Sequence, residues 1–438
     1  MLTPAEHKNP GTGESPVNSR SLRVGFVSTR FAGTDGVSLE ARKWVRALED
    51  LGHTCFFFAG ECDHQPERSM VVEEAHFEHP VIRRLNADLF DDYHRSPETS
   101  DTIRDVWKKL KHRLNDFLAA FDIQLLVVEN ALSIPMNIPL GMALTELITE
   151  TGIPAIAHHH DFAWERARFA VNAAGDYLQA AFPPAMPAIN HVVINSFAAV
   201  QLALRTGMRS MLIPNVMDFD NPPPGRDGYA EDLRRRLELS EGELFVLQPT
   251  RIVPRKRIER AVEIVRYLDR PAALVISHSV GDEGLEYREY LIEFAEALGV
   301  RLILGEGVFE YERSTGPDGM KLYSLADAYR HADLVTYPSA VEGFGNAFLE
   351  AVYYRKPLVM CTYDIFRADI SPKGFQVIGF DDFITRRKVA GISKLLDSPA
   401  EIERMVQTNY RLGERYYSYA VLRKRLGLLL DQVFQESY

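Results

Sequence analysis

Three cysteines (Cys55, Cys62, Cys361) in 438 residues are too few and too scattered for a disulfide framework. Cys55 and Cys62 have neither CxxC nor zinc-like spacing. Their scarcity predicts a reduced, cytoplasmic protein. No apolar run reaches the roughly 18 residues that a membrane span needs. The opening stretch MLTPAEHKNPGTGESPVNSR lacks the apolar segment of a secretory signal, and its composition predicts a disordered tail over 1–20. Positive charge is in deficit: 50 Lys and Arg stand against 61 Asp and Glu, a formal net charge of −11. That balance favours solubility and argues against a nucleic-acid partner. Neither first loop reads GxGxxG with a suitable acidic residue after it, which leaves a dinucleotide oxidoreductase without support.

What is present is a soluble globular mix, 46% hydrophobic and 25% charged. The chain is too long for one ordinary core, so two or three domains are expected. LRVGFVST (22–29) is a β-rich run followed by the Gly-containing loop FAGTDGVS. A helical pattern then stops at Gly52, before the strand TCFFFAG (54–60). Strand, loop, helix and strand alternate again through 123–130, 139–152, 153–162 and 191–196, the signature of a parallel α/β sheet. This first Rossmann-like domain is expected over 21–219. DNPPPGRDGYAEDLRRRLELSEGE (220–243) is rich in Pro, Gly and charge and reads as a linker with a short helix. A second Rossmann-like series is expected over 244–415. The stretch 416–438 is predicted to be a terminal helix packing back on the first domain. The expected fold is α/β, two Rossmann-like domains facing a central cleft.

In such sheets ligands sit at the carboxyl ends of the strands, where helix N-termini point. EGFGNAFLEAVYYRKPLVM (342–360) places two glutamates eight positions apart across a Gly turn and a helix. The turn Gly343–Phe344–Gly345 opens the helix, whose unpaired N–H groups suit an anion. Glu342 and Glu350 would lie roughly 12 Å apart along the axis if the whole span were helical. A ligand with hydroxyls at both ends and an anionic middle fits, and a sugar nucleotide is such a ligand. QPTRIVPRKRIERAVEIV (248–265) adds Arg251 and Lys256 across a strand-to-helix loop, with Arg255 and Arg257 beside them. Two cations there suit a diphosphate leaving group. Alone, the cluster would be a solvated basic loop; with the two glutamates the ligand reading is favoured.

Arg251 with Lys256, EGFGNAFLE with its Glu–x7–Glu spacing, and KPLV together resemble the retaining glycosyltransferases of family 4, which have the GT-B fold. The resemblance extends to the N-terminal Gly loop, to IPNVMD before the linker and to the terminal helix. It implies that Arg251 and Lys256 bind the donor diphosphate, Glu342 the donor sugar and Glu350 the ribose. Gly343, Phe344, Gly345 and Asn346 would border the phosphates. The loop at Gly33 and Gly36 would approach the donor phosphates or the acceptor across the cleft. The position after Lys256, often glycine in that family, is Arg257 here.

AHHHDFAWERARF (157–169) carries three consecutive histidines at a strand end. Alternation lets at most His158 and His160 converge, and no carboxylate other than Asp161 stands near in sequence, so no metal is expected. The resemblance gives His160, with His159 as runner-up, a hydrogen bond near the donor hexose. His158 is expected to fill the domain interface. His159, Arg166 and Arg168 are acceptor candidates, the arginines for a carboxylate or phosphate, with surface salt bridging as their plain alternative. Asp218–Phe–Asp220 is read as structural, not as a metal-binding DxD. The amphipathic stretch 101–120 is read as a sheet-covering helix, with membrane docking the less favoured reading.

The expectation is therefore an enzyme: a hexosyltransferase acting from a nucleoside diphosphate sugar onto a sugar or small hydroxyl acceptor, with retention, no cofactor and no metal. His160, Arg251, Lys256 and Glu342 would carry the reaction. A sugar-nucleotide epimerase or hydrolase on the same fold is the alternative, and a homodimer is left open.

Overall fold

The computed structural model describes residues 21–33, 35–278 and 285–435. The tail expected over 1–20 and the last three residues of the expected terminal helix lie outside them. The first sheet comprises β1 (Arg23–Val27), β2 (Thr54–Ala59), β3 (Ser69–Val71), β4 (Leu125–Glu129), β5 (Ala155–His159), β6 (Ile189–Val193) and β7 (Ser210–Leu212). Its order is β3-β2-β1-β4-β5-β6-β7, every pair parallel. Helices cover both faces, which is why β4 (LLVVE) is buried at every residue and carries no alternating pattern.

The second sheet comprises β8 (Leu244–Gln248), β9 (Ala272–Ile276) and β10 (Arg301–Leu304), then β14 (Leu334–Tyr337), β15 (Leu358–Cys361) and β16 (Ile378–Phe380). Between β10 and β14, β11 (Phe309–Glu310), β12 (Ser314–Thr315) and β13 (Lys321–Ser324) form a small separate sheet. The large sheet runs β10-β9-β8-β14-β15-β16, again all parallel. Each large sheet reverses its strand order once, between β1 and β4 and between β8 and β14. Those switch points are where a parallel sheet opens a crevice for ligand.

The terminal helix packs back as expected. After the helix Pro399–Tyr417, the helix Tyr419–Gln435 buries Leu422, Leu426 and Leu429 among Val24, Phe26, Trp44 and Leu48 of the first domain. The expected linker is shorter than 220–243. Ala230, Leu233 and Leu237 are buried with Phe245 and Tyr329 in the second core. Their apolar side chains draw the second half of the segment into that domain despite its polar composition. Asp218 and Asp220 pair with Arg46 (2.9 Å) and Arg423 (2.7 Å), tying the crossing segment to the first domain's own helix and to the returning one.

The helix Pro97–Phe121 buries Ile103, Leu110, Leu114 and Phe117. Its cations are matched by acids: Lys109 with Glu74, Lys111 with Glu146 and Glu150, Arg113 with Asp116. A covered sheet and a neutralised outer face fit the sheet-covering reading. Among the described residues no helix is long and apolar enough to cross a membrane.

Candidate active site

Both switch points open onto one cleft of about 500 Å³ between the domains. The β8 loop brings Arg251, Arg255 and Lys256 to it, the β14 loop brings Glu342, and the β1 loop brings Arg30, Gly33 and Gly36. Lys256 ends the 3₁₀ turn Pro254–Lys256. Arg257 then takes a left-handed conformation, φ 51°, and reaches Asp382 at 3.2 Å. The chain thus keeps a glycine-like bend with an arginine, at a cost of about 1 kcal/mol.

Lys256 is buried, its ammonium bonded to the Glu342 carboxylate and lying 5.5 Å from the Tyr337 ring centre. Burial lowers its pKa, and the Glu342 charge offsets only part of that. Burial alone would raise Glu342, but Lys256 and then Arg255, at 3.7 Å, hold it below the ordinary carboxylate range. His278, two residues after β9, was not foreseen from the sequence. Burial, then the charges of Arg251 and Lys256, push it down to about 4, so a neutral imidazole stands among cations.

The helix Asn346–Tyr353 starts four residues after Glu342, so Glu350 is little more than one turn in, not two. Gly345 makes the difference: φ is 113°, and a Cβ there would lie 2.1 Å from the Tyr363 hydroxyl. That hydroxyl donates to the Phe344 carbonyl at 2.6 Å. Phe344, Gly345, Asn346 and Ala347 all border the cleft, so the helix N-terminus faces it. Glu350 accepts from the Tyr329 hydroxyl at 2.8 Å, and burial raises its pKa. Across the cleft, a Cβ on Gly36 would stand 4.0 Å from the Asn346 side chain. Gly33 offers no open N–H, because its amide donates to Asp63 at 3.1 Å. Hydrogen bonds across the cleft hold the domains together, among them Asn195 to the Gly343 carbonyl (2.7 Å), Asn215 to the Asn346 side chain (2.8 Å) and the Ser196 N–H to Asp369 (2.8 Å).

The histidine run divides differently from expectation. His159 is fully buried, bonded to Ser133 and, at 2.9 Å, to His191, so it is corrected from acceptor candidate to core residue. His158 is also buried, stacked on Trp44 with ring centres 4.1 Å apart. His160 does not border the cleft cavity itself; its carbonyl lies 3.3 Å from where a Cβ of Gly343 would stand. A carboxylate does join His158 and His160, contrary to the sequence reading: Glu129, wholly buried at the end of β4. Glu129 takes His158 Nδ1 at 2.9 Å and His160 Nε2 at 3.1 Å. The three donor atoms gather within 4.8 Å, but they are bonded to one another, and we assign no metal to them. Arg166 and Arg168 are likewise corrected: neither borders the cleft. Arg166 is paired with Asp161 and lines a second cavity with Trp164 and Arg205, while Arg168 lies over the Phe169 ring.

Two parallel Rossmann-like sheets around a shared cleft, one helix crossing back, define the GT-B fold. Solved structures of that class superpose on the chain. Sucrose-phosphate synthase from Thermosynechococcus elongatus does so with a TM-score of 0.65 and 16% identity, covering 94% of this chain and 99% of that one. HepE from Anabaena, in complex with UDP-glucose, gives 0.63 and 12%, covering 94% and 100%. Residues 230–411 match the family of glycosyl transferases group 1. Mannosylglucosylglycerate synthase of Thermotoga maritima is 32% identical over 434 residues, 91% of this chain and 97% of that protein. The Petrotoga mobilis protein of the same name is 32% identical over 390 residues, 82% and 86%. The chain belongs to the group 1 glycosyltransferase family and is a glycosyltransferase.

Proposed function

We propose that this enzyme transfers a mannosyl group from a nucleoside diphosphate mannose to glucosylglycerate, with retention and without a metal, as a member of family 4. The observation that carries the reading is the meeting of Arg251, Lys256, Glu342, Glu350 and a helix N-terminus in one interdomain cleft. The donor and acceptor sugars are taken from the two relatives that match 91% and 82% of its length.

The diphosphate lies against Arg251, Lys256 and the N–H groups opening the helix at Asn346. The ribose meets Glu350, and the hexose meets Glu342. As the anomeric C–O bond breaks, its electron pair leaves with the diphosphate, and negative charge grows where the cations stand. The acceptor hydroxyl attacks the oxocarbenium-like carbon from the same face, forming the new C–O bond. Its proton passes to a diphosphate oxygen. Arg30, on the cleft wall of the first domain and paired with Asp35 at 3.1 Å, is the cation we assign to an acceptor carboxylate.

The test is incubation of UDP-, GDP- and ADP-mannose with glucosylglycerate, with and without EDTA. Mass spectrometry reads the trisaccharide-like product, and NMR reads its anomeric configuration. Free mannose released equally with and without acceptor would establish a hydrolase instead.

A further inference from the structure

Glu129 takes no part in the mechanism above, yet it is a wholly buried carboxylate at the end of β4, on the first domain's switch point. One of its oxygens, Oε2, accepts from two imidazoles at once, His158 Nδ1 and His160 Nε2. Such a group stays ionised only with a positive partner or several donors. His158 is fixed by its stack on Trp44 and serves as a donor. His160 is fixed at its backbone as well. Its N–H donates to Asn130 Oδ1 at 3.1 Å, and Asn130, left-handed at φ 60°, holds Asp161 with its amide at 2.9 Å.

With Nε2 committed to Glu129, the second ring nitrogen of His160 has no partner among the described residues. The ring is 10% exposed, and its carbonyl abuts the turn that carries Glu342 and Gly343 from the other domain. We propose that Glu129 is a positioning residue for the transfer reaction: it binds Nε2 of His160, fixes a proton on that nitrogen, and leaves Nδ1 to meet the sugar end of the nucleotide sugar beside the Gly343 turn, at the edge of the cavity that the ring itself does not line. The inference rests on the transferase reading of the cleft and adds to it a residue that touches no substrate.

The surroundings favour the charged ring. Burial works against the imidazolium, but Glu129 foremost, then Glu40 from the helix Gly36–Asp50 and Asp161 beside it, raise His160 above the ordinary imidazole value. The neighbouring His158 is lowered by its burial and stays neutral. A charged His160 donates from Nδ1, which suits a sugar hydroxyl or a phosphate oxygen. A neutral one, held by Glu129 in the Nε2–H form, offers Nδ1 only as an acceptor.

The test joins long-range ¹H–¹⁵N NMR of the imidazoles with pH profiles of kcat/KM for wild type, Glu129→Gln and Glu129→Asp. In wild type without substrate, His160 should hold its Nε2 proton throughout and lose its Nδ1 proton above the ordinary imidazole range. Glu129→Gln should move that titration, and the matching limb of kcat/KM, to lower pH by at least one unit. It should lower kcat at least tenfold while changing KM for the acceptor less than threefold. Glu129→Asp should restore part of both. A His160 in the Nδ1–H form in wild type, or an unshifted profile in Glu129→Gln, would overturn the proposal. So would a stoichiometric metal in the purified enzyme that Glu129→Gln loses. The spectra need no substrate, so they judge the pairing even if no mannosyl donor turns over; that failure would sink the transferase reading separately.

Discussion

Lys256→Ala separates the catalytic role of the buried ammonium from its structural one. Lys256 is the buried cation of the three in the β8 loop, so its charge acts in the least water-screened position. A unit charge about 4 Å from a phosphate oxygen is worth about 4 kcal/mol at an effective dielectric of about 20. Part of that already acts on the bound ground state. The share specific to the departing diphosphate is therefore about 3 kcal/mol, or roughly two orders of magnitude in kcat. The same substitution leaves Glu342 buried with Arg255, 3.7 Å away, as its nearest cation. Because that partner remains, the loss of stability should be about 2 kcal/mol, below the roughly 3–5 kcal/mol of a fully orphaned buried charge. Adding Glu342→Gln removes the orphaned charge. The double variant should regain most of the stability and none of the turnover. Single-turnover kinetics with saturating donor, beside urea unfolding followed by far-UV circular dichroism, measure both. Turnover of Lys256→Ala within threefold of wild type, or recovery of activity in the double variant, would refute the diphosphate role.

Gly345→Ala should abolish donor binding and destabilise the domain by more than about 1 kcal/mol, since both φ and the Tyr363 hydroxyl oppose a side chain there. Tyr363→Phe in the same chain should recover part of the stability, read by thermal unfolding. The Glu342 pair should be pH-sensitive in a defined direction. Its carboxyl is held low in the folded state, so the pair's stability is complete above the ordinary glutamate range and is lost as pH falls through and below it. Unfolding midpoints between pH 7 and pH 4 should therefore drop more for wild type than for Glu342→Gln. Saturating EDTA should leave kcat unchanged. Asp218→Ala should cost less than about 1 kcal/mol and leave activity intact, because it breaks a partly exposed ion pair and an exposed bond from Asn221.

The two-domain fold was legible because its signals are local. Continuous apolar runs such as LLVVE mark strands covered on both faces, and Gly and Pro punctuate them. The second domain's site residues were legible for a similar reason: Arg251, Lys256, Glu342 and Glu350 each lie within a few residues of a strand end or helix start. The misreadings share the opposite cause. Ala230, Leu233 and Leu237 are scattered among charges and Pro, and only the waiting core at Phe245 gives them weight. His159 could not be told from His160, because strand alternation assigns faces but not which face is covered.

Glu129 and His278 show where sequence reasoning ends. Each closes an apolar strand or follows it by two residues, with no motif around it. The meaning of Glu129 depends on β4 lying beside β5, which brings residues 29 and 31 positions apart onto one carboxylate oxygen. That of His278 depends on its burial and on β9 lying beside β8, whose loop supplies charges that add to the effect of burial in keeping it neutral. Parallel neighbours are joined by long crossovers, so their carboxyl-end residues meet in space without any fixed interval in sequence. The same geometry makes the switch points good sites: each loop can change its length or residues without disturbing the ladder beneath it. A cleft built this way draws its charge balance from several loops at once. The loss of any one buried charge should therefore be felt first in catalysis and only second in folding.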